Sequence, residues 1–387
     1  MSQSLIMDLA GSYRLTPGGH PSIEGQRPIL GQAYLGRLLR GLQGESVEGT
    51  LGHIFTLCGH AHRRTARLAL NAAMPQRRGL PVAPPVLLWL ETARDHLRSI
   101  ALDWPRLQPG QHARPDQMDW LRGCPLPLSH GPLPGDPAQA WAMLAQLRQW
   151  VETRLLGQAV EPWLAQHHNP QALAEWSQAQ ATSLAPAGSL AAWYNLAHPL
   201  TPVFRPLALL QADPAQQATE LQAIAQAMSQ EASFAQHPTW QQQCFETGSW
   251  ARLRHQHADS PYPVTAWTRL AARWIELLEI AALQPSASAQ PLSSGALQMG
   301  SGQAIAWCEM ARGLLLHWVQ LDELGRVQDY RVLAPTEWNF HPNGALAQAL
   351  SALPAHDTQS AWALAAAFDA CVACQVSAPA PSEETHA

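Results

Sequence analysis

Residues 308–344 read CEMARGLLLHWVQLDELGRVQDYRVLAPTEWNFHPNG and carry the clearest β pattern of the chain. Within them, GLLLHWVQL at 313–321 and RVQDYRVLA at 326–334 are apolar runs or alternate between apolar and polar residues. The intervening DELG has the composition of a tight turn. This segment therefore predicts two neighbouring strands joined by a turn.

Outward from that segment, the chain is mostly helical in pattern, with one short strand near its start. The fold class is therefore predicted to be mainly α with a smaller β element, an α+β fold. The edge strand is expected within 4–14, and helices are expected at 31–43, 58–73, 86–102, across most of 137–282, and at 358–372.

The chain is predicted to form one large domain over 1–375. Two stretches rich in Pro, Gly or Ser, 103–136 and 284–303, are expected to be flexible connections inside it. The final residues, 376–387, are rich in Pro and Glu and are expected to form a disordered tail. Hydrophobic residues make up 47% of the 387 residues, which is enough for an extensive core.

Composition argues against several function classes. Only 14% of residues are charged and the formal net charge is −5, so no basic surface for nucleic acid or an anionic membrane is expected. No apolar stretch reaches the roughly 18 residues that span a bilayer, and no export signal is expected. Six cysteines are too few for a disulfide scaffold. A cytoplasmic protein with a thiol or metal role is therefore expected.

Two cysteine sites carry the candidate chemistry. Cys58 lies where a helix is predicted to begin, so backbone N–H groups and the helix dipole would favour its thiolate. His60 and His62 follow as candidate ligands, although HAHRR is also typical of a surface helix. Cys371 and Cys374 are spaced one helical turn apart, so both sulfurs can face one cation. By itself this pair is compatible with a metal site, a redox dithiol or two buried thiols.

Five ordered segments resemble the signatures of the [NiFe]-hydrogenase large subunit. The family patterns are R-I-E-G-H, R-x-C-G-x-C-x-x-x-H, E-x-G-x-x-A-R, E-A-P-R-G-x-L-x-H-W leading to P-T-T-W-N, and D-P-C-x-x-C-x-x-H. The resemblance extends from about residue 22 to residue 377 and implies a large-subunit-like fold. Its segments here are SIEGQRP at 22–28, FTLCGHAHRRTA at 55–66, ETGSWARL at 246–253, residues 308–344, and FDACVACQ at 368–375.

In that family, four cysteine thiolates hold nickel and an iron that carries cyanide and carbonyl. Cys58 matches the first cysteine of the N-terminal pair, and Cys371 and Cys374 match both cysteines of the C-terminal pair. The resemblance therefore implies a metal site at these three cysteines. It also implies that Arg312 supports the diatomic ligands. Glu24 matches the family's proton-relaying glutamate, for which a purely structural carboxylate is the alternative.

Four positions depart from the family pattern. Ala61 stands at the second cysteine of the N-terminal pair and Thr65 at the histidine that follows it, while Ser377 replaces the terminal histidine and Thr56 the opening arginine. Alanine offers no ligand atom, so a four-thiolate nickel–iron site cannot form and no nickel is expected. The chain is therefore predicted not to be a hydrogenase, and not to be an enzyme.

A large-subunit-like shell with three of the four cysteines resembles the HupK/HoxV type of hydrogenase maturation protein. This resemblance implies a scaffold or chaperone that transiently holds an Fe(CN)2(CO) fragment for delivery to the hydrogenase large subunit. The expected partners are accessory proteins of the Hyp type and the large subunit itself. The alternative is a metal-free adaptor that binds maturation proteins or hydrogenase subunits by mimicking the large subunit.

Overall fold

The computed structural model describes residues 10–30, 34–77, 79–108, 115–128, 133–167, 169–231, 233–256, 262–285 and 291–378. Helices dominate these ranges, and the predicted fold class, mainly α with a smaller β element, is confirmed. The helices are α1 (Tyr34–Leu39), α2 (Glu45–Ile54), α3 (Gly59–Ala73), α4 (Pro85–Arg98), α5 (Trp104–Leu107), α6 (Pro137–Trp150), α7 (Val160–Gln166), α8 (Pro170–Ala179), α9 (Ala185–Ala197), α10 (Pro214–Gln230), α11 (Ser249–Gln256), α12 (Ala266–Ala282), α13 (Pro335–Asn339), α14 (Ala345–Ser351) and α15 (Thr358–Phe368). The strands are β1 (Ser12–Leu15), β2 (Ile23–Gln26), β3 (Ser294–Gly300), β4 (Gln303–Met310), β5 (Gly313–Leu321), β6 (Val327–Leu333) and β7 (Ala373–Val376).

Strands β3 to β6 form an antiparallel sheet in chain order, and the predicted β5–β6 pair is confirmed. The turn between them is closed by Asp322, whose carboxylate accepts from the backbone N–H groups of Leu324 and Arg326. Both faces of β5 are covered, because Leu315 belongs to the main core and Leu316 to a second core that contains residues of α10. The nearly continuous apolar run of this strand follows from that double burial.

A second, three-stranded sheet joins the two ends of the described chain. Its order is β2–β1–β7, with β1 antiparallel to β2 and parallel to β7. The register places Tyr13 opposite Gly25 on one side and opposite Cys374 on the other. The IEGQ segment and Cys374 are thereby held on one sheet, although about 350 residues separate them.

Helix α12 lies at the centre of the helical part and is buried along nearly its whole length. Thr265 caps its start, since its side chain accepts from the Thr268 N–H while the Thr268 hydroxyl accepts from the Thr265 N–H. The three buried charged residues of this helix are tolerated in the core because each has a counter-charge. Arg269 pairs with Glu246, Arg273 with Asp369, and Glu276 with Arg252.

The helix predicted at 358–372 is shorter than expected. It ends at Phe368, because Asp369 adopts the left-handed conformation with φ of 48°. Cys371 follows in a bend and Cys374 lies in β7. The prediction that the two cysteines share a helical face is therefore wrong, because Cys374 is positioned by a strand and Cys371 by the bend that precedes it.

Other predicted boundaries also shift. The connection 284–303 contains β3, whose residues pair with β4, and the connection 103–136 contains α5 and a 3-10 turn at Pro115–Leu121. Of the predicted strand within 4–14, residues 1–9 lie outside the described ranges and β1 begins at Ser12. Of the predicted tail, 379–387 lies outside them, while Val376 ends β7 and the Ser377 N–H donates to the Leu15 carbonyl. Within the described ranges, no helix is both long and apolar enough to cross a bilayer.

Candidate thiol site

The fold brings the three predicted cysteines to one region. Cys58 is buried at the N-cap of α3, and Cys374 lies in β7 beside β1. Cys371 is half-buried, 3.1 Å from the Thr336 hydroxyl at the start of α13. Electrostatic interaction links Cys58 with Cys371 and Cys371 with Cys374. Among the residues described, no three His, Cys, Asp or Glu side chains form a group that could hold a metal ion.

Cys58 does not have the thiolate-favouring surroundings that its helix position predicts. Burial raises the pKa of its thiol well above the usual range, and the charges of Cys371 and Glu91 raise it further. The helix N-terminus is already occupied, because the Glu91 carboxylate accepts from the His60 and Ala61 N–H groups, both at 2.8 Å. The predicted helix start is confirmed, but the predicted stabilisation of the thiolate is wrong, since burial disfavours the charged form and a carboxylate from α4 takes the free donors.

Arg312 lies within this region, as the resemblance implies. Its guanidinium is buried, forms an ion pair with Asp95, and lies 3.4 Å from Asp369. It interacts electrostatically with the Cys371 and Cys58 thiols. The sequence analysis assigned no role to Asp95. The pattern that could have identified it is the segment ARDHLRSIALDW at 93–104, which resembles a stretch of the hydrogenase family only loosely.

Arg27 is a second buried guanidinium in the same region, and sequence reasoning missed it. It lies one residue beyond β2 and is 3.4 Å from the Glu337 carboxylate. It interacts electrostatically with Cys371 and Glu337. Its position directly after IEGQ was the available signal, since that segment had already been matched to the family.

Glu24 lies on β2 with its side chain exposed. It lines a cavity of about 90 Å³ that also reaches Tyr13, Arg27 and Glu337. The structure thus places this carboxylate at the outer end of a small cavity whose inner residues adjoin the thiols. Its proton-relay role stays a prediction.

The two candidate histidines have different surroundings. His62 is buried, stacks on Phe55 with ring centroids 3.8 Å apart, and has its Nδ1 3.1 Å from the Nε2 of His317. The Nδ1 of His317 lies 2.7 Å from the Tyr330 hydroxyl, so His62 begins a buried polar chain. Burial and nearby arginines lower the pKa of His60 to about 4, and its Nε2 has no hydrogen-bond partner among the described residues.

This polar chain predicts a pH dependence of stability. Burial lowers the pKa of His317 to about 3, whereas an unfolded histidine titrates near 6.5. Between these values the unfolded state binds more protons, so stability is present above about pH 6.5 and is lost as the pH falls. We expect His317→Gln to flatten the fall between pH 6.5 and 4 by up to about 1.4 kcal/mol per pH unit.

Urea unfolding at several pH values would measure this slope, with His356→Gln as the control because His356 is exposed. Equal slopes for the two variants would contradict the assignment of acid sensitivity to the buried histidine.

The departures from the family pattern are built into the core. Ala61 is fully buried. It follows Cys58 by three residues, so the two lie on the same side of the start of α3. Thr65 is also fully buried and its hydroxyl donates to the Ala61 carbonyl. These side chains pack as structural residues, and neither offers a thiol or an imidazole at the position where the family has one.

Comparison with known proteins gives concordant results. The family model for nickel-dependent hydrogenase matches residues 269–377. The chain is 38% identical to the hydrogenase expression/formation protein HoxV of Cupriavidus necator, with 94% of each chain covered. It is 29% identical to the hydrogenase expression/formation protein HupK of Rhizobium leguminosarum bv. viciae, covering 88% of this chain and 89% of that protein.

A chain from the crystal structure of an NAD+-reducing [NiFe]-hydrogenase in the H2-reduced state is also similar. It aligns with a TM-score of 0.47 and 14% identity, over 90% of this chain and 92% of that one.

Proposed function

We propose a function from one premise: this chain belongs to the family of hydrogenase expression/formation proteins that includes HoxV and HupK. Its role is in hydrogenase maturation. More specifically, it acts as a scaffold without catalytic turnover that transiently holds the Fe(CN)2(CO) fragment and passes it to the hydrogenase large subunit. Accessory proteins of the Hyp type supply the fragment. The iron fragment is cargo, and no nickel is bound.

The observation that carries this proposal is the convergence of Cys58, Cys371 and Cys374 on one region from opposite ends of the chain. Soft thiolate donors suit an iron bearing strong-field diatomic ligands. The thiols adjoin two buried guanidiniums. Arg312 is paired with Asp95 and Asp369, whereas the Nε–H of Arg27 has no hydrogen-bond partner among the described residues. An unpaired buried donor suits a cargo that brings its own acceptors, such as cyanide nitrogen.

A scaffold must also release what it holds. Ala61 removes one of the four ligands that the family uses, and its fully buried side chain leaves the helix otherwise well packed. Because each metal–thiolate bond adds to affinity, three donors hold the fragment less tightly than four. The site therefore favours transfer to a partner with a complete set of four cysteines, which fits the large subunit as the recipient.

The experiment that tests this function is infrared spectroscopy of the protein purified anaerobically from cells that express the iron-assembly machinery. We expect cyanide and carbonyl stretching bands in the natural protein and their loss after Cys371→Ala with Cys374→Ala. The control is Cys124→Ala, because Cys124 is half-buried elsewhere, near the Leu126 carbonyl. A silent spectrum beside iron-loaded machinery would contradict the scaffold and favour the metal-free adaptor.

A further inference from the structure

The buried ion pair between Arg27 and Glu337 is a feature of this chain that the family pattern does not contain. Glu337 stands at the second threonine of P-T-T-W-N, and Arg27 directly follows the segment that matches R-I-E-G-H. The side chains are 5% and 1% exposed, and the guanidinium Nη1 lies 3.4 Å from the carboxylate. A buried pair of this kind carries a large desolvation cost, so its presence beside the thiols needs a physical explanation.

The pair is tied to the thiol site through both of its elements. Arg27 leaves β2, which pairs with β1, and β1 pairs with the strand that contains Cys374. Glu337 is adjacent in α13 to Thr336, whose hydroxyl lies 3.1 Å from the Cys371 sulfur. The first turn of α13 therefore contacts a cysteine with one residue and orients the arginine with the next.

The pairing leaves part of the guanidinium unsatisfied. Glu337 engages the Nη1 of Arg27 at 3.4 and 3.5 Å, while the buried Nε has no hydrogen-bond partner among the described residues. A purely structural arginine would be expected to use this donor, because a buried unpaired N–H group is costly. Arg27 also lines two cavities, of about 560 Å³ and about 90 Å³, so space adjoins this side chain.

We infer that Arg27 is a second cargo-binding residue: held by Glu337, it donates its Nε–H group to an anionic ligand of the metal fragment bound at the cysteines. This inference rests on the proposed function and adds a recognition element to it. Two guanidiniums, Arg27 and Arg312, then adjoin the fragment, each anchored by carboxylates. The site thereby selects a metal complex that carries anionic acceptor ligands over a bare ferrous ion.

The test separates cargo binding from structural support. Arg27→Gln alone leaves Glu337 as a lone buried charge and is expected to lower stability. Arg27→Gln combined with Glu337→Gln replaces the pair by two neutral amides, and we expect the melting temperature to recover toward that of the natural protein. Iron retained after anaerobic purification should nevertheless fall about tenfold or more, because a hydrogen bond from a charged donor is lost.

Arg27→Lys keeps the charge without the Nε–H donor, so we expect its cyanide bands to shift in frequency while part of the iron remains. If the double variant fails to fold, the lysine variant still tests whether Arg27 contacts the metal fragment. Arg122→Gln is the control, since Arg122 is 77% exposed and pairs with a surface aspartate.

Two outcomes would overturn the inference in distinguishable ways. Unchanged iron content and unchanged cyanide bands in both the lysine and the double variants would reduce Arg27 to a structural residue and leave the proposed function standing. A natural protein without any cyanide or carbonyl band would overturn the proposed function and this inference together.

Discussion

If the proposed function holds, changing Ala61 to cysteine is expected to make the protein retain the iron fragment that the natural chain releases. Ala61 lies one helical turn after Cys58 on the same side of α3, at the position where the hydrogenase family has its second cysteine. A sulfur there would add a fourth soft donor. Loss of outer-shell partners alone changes metal affinity about 10- to 100-fold, so we expect release to slow by about tenfold or more.

The measurement is the transfer of iron from the purified protein to the hydrogenase large subunit, together with the iron that stays behind. Ala61→Ser is the matched control, because its side chain is similar in size but has a hard oxygen instead of a soft sulfur. The serine variant also controls for the effect of placing a larger side chain at this position, since Ala61 is fully buried. Equal transfer rates for the cysteine and serine variants would contradict the idea that the missing thiolate permits release.

Glu276→Ala is expected to cause the largest loss of stability that the described contacts predict. The Glu276 carboxylate accepts from Arg252 at 2.6 and 2.8 Å and from the Ser249 hydroxyl at 2.8 Å, and it lies 2.7 Å from His96. Burial alone would raise its pKa, but Arg252 and the His96 hydrogen bond more than offset this and hold the pKa below its usual range. Removing the carboxylate leaves Arg252 as an uncompensated buried charge.

Breaking a buried pair in this way costs about 3–5 kcal/mol, measured as the free energy of unfolding in urea. Glu276→Gln should cost less, because the amide keeps an acceptor for Arg252. Glu323→Ala is the control, since Glu323 is exposed in the turn between β5 and β6. A loss below about 1 kcal/mol for Glu276→Ala, the range of a surface salt bridge, would show that this network does not hold α11 and α12 together.

Local sequence was sufficient for the elements whose pattern is regular. The β5–β6 pair, the start of α3 at Gly59 and the start of α4 at Pro85 lie close to where periodicity predicts them. These predictions hold because alternation and helical spacing reflect burial of one or both faces. The prediction of a flexible connection at 284–303 was wrong. Its Ser and Gly residues have the composition of a turn, but part of the stretch forms β3 by pairing with β4.

The sequence by itself determined which residues are candidates for the proposed chemistry. It singled out Cys58, Cys371 and Cys374, the arginine at 312, and the missing donor at Ala61, because ordered motifs preserve residue identity whatever the local geometry. These identities also placed the chain near the hydrogenase family.

Only the tertiary structure decided how those groups are surrounded. The pairing of β1 with both β2 and β7 places Arg27 and Cys374 on one sheet, and Glu91 from α4 takes the N–H groups that would otherwise favour the Cys58 thiolate. Such contacts join residues far apart in the chain. Their distances, burial and charges arise only when the core closes, so no local pattern contains them.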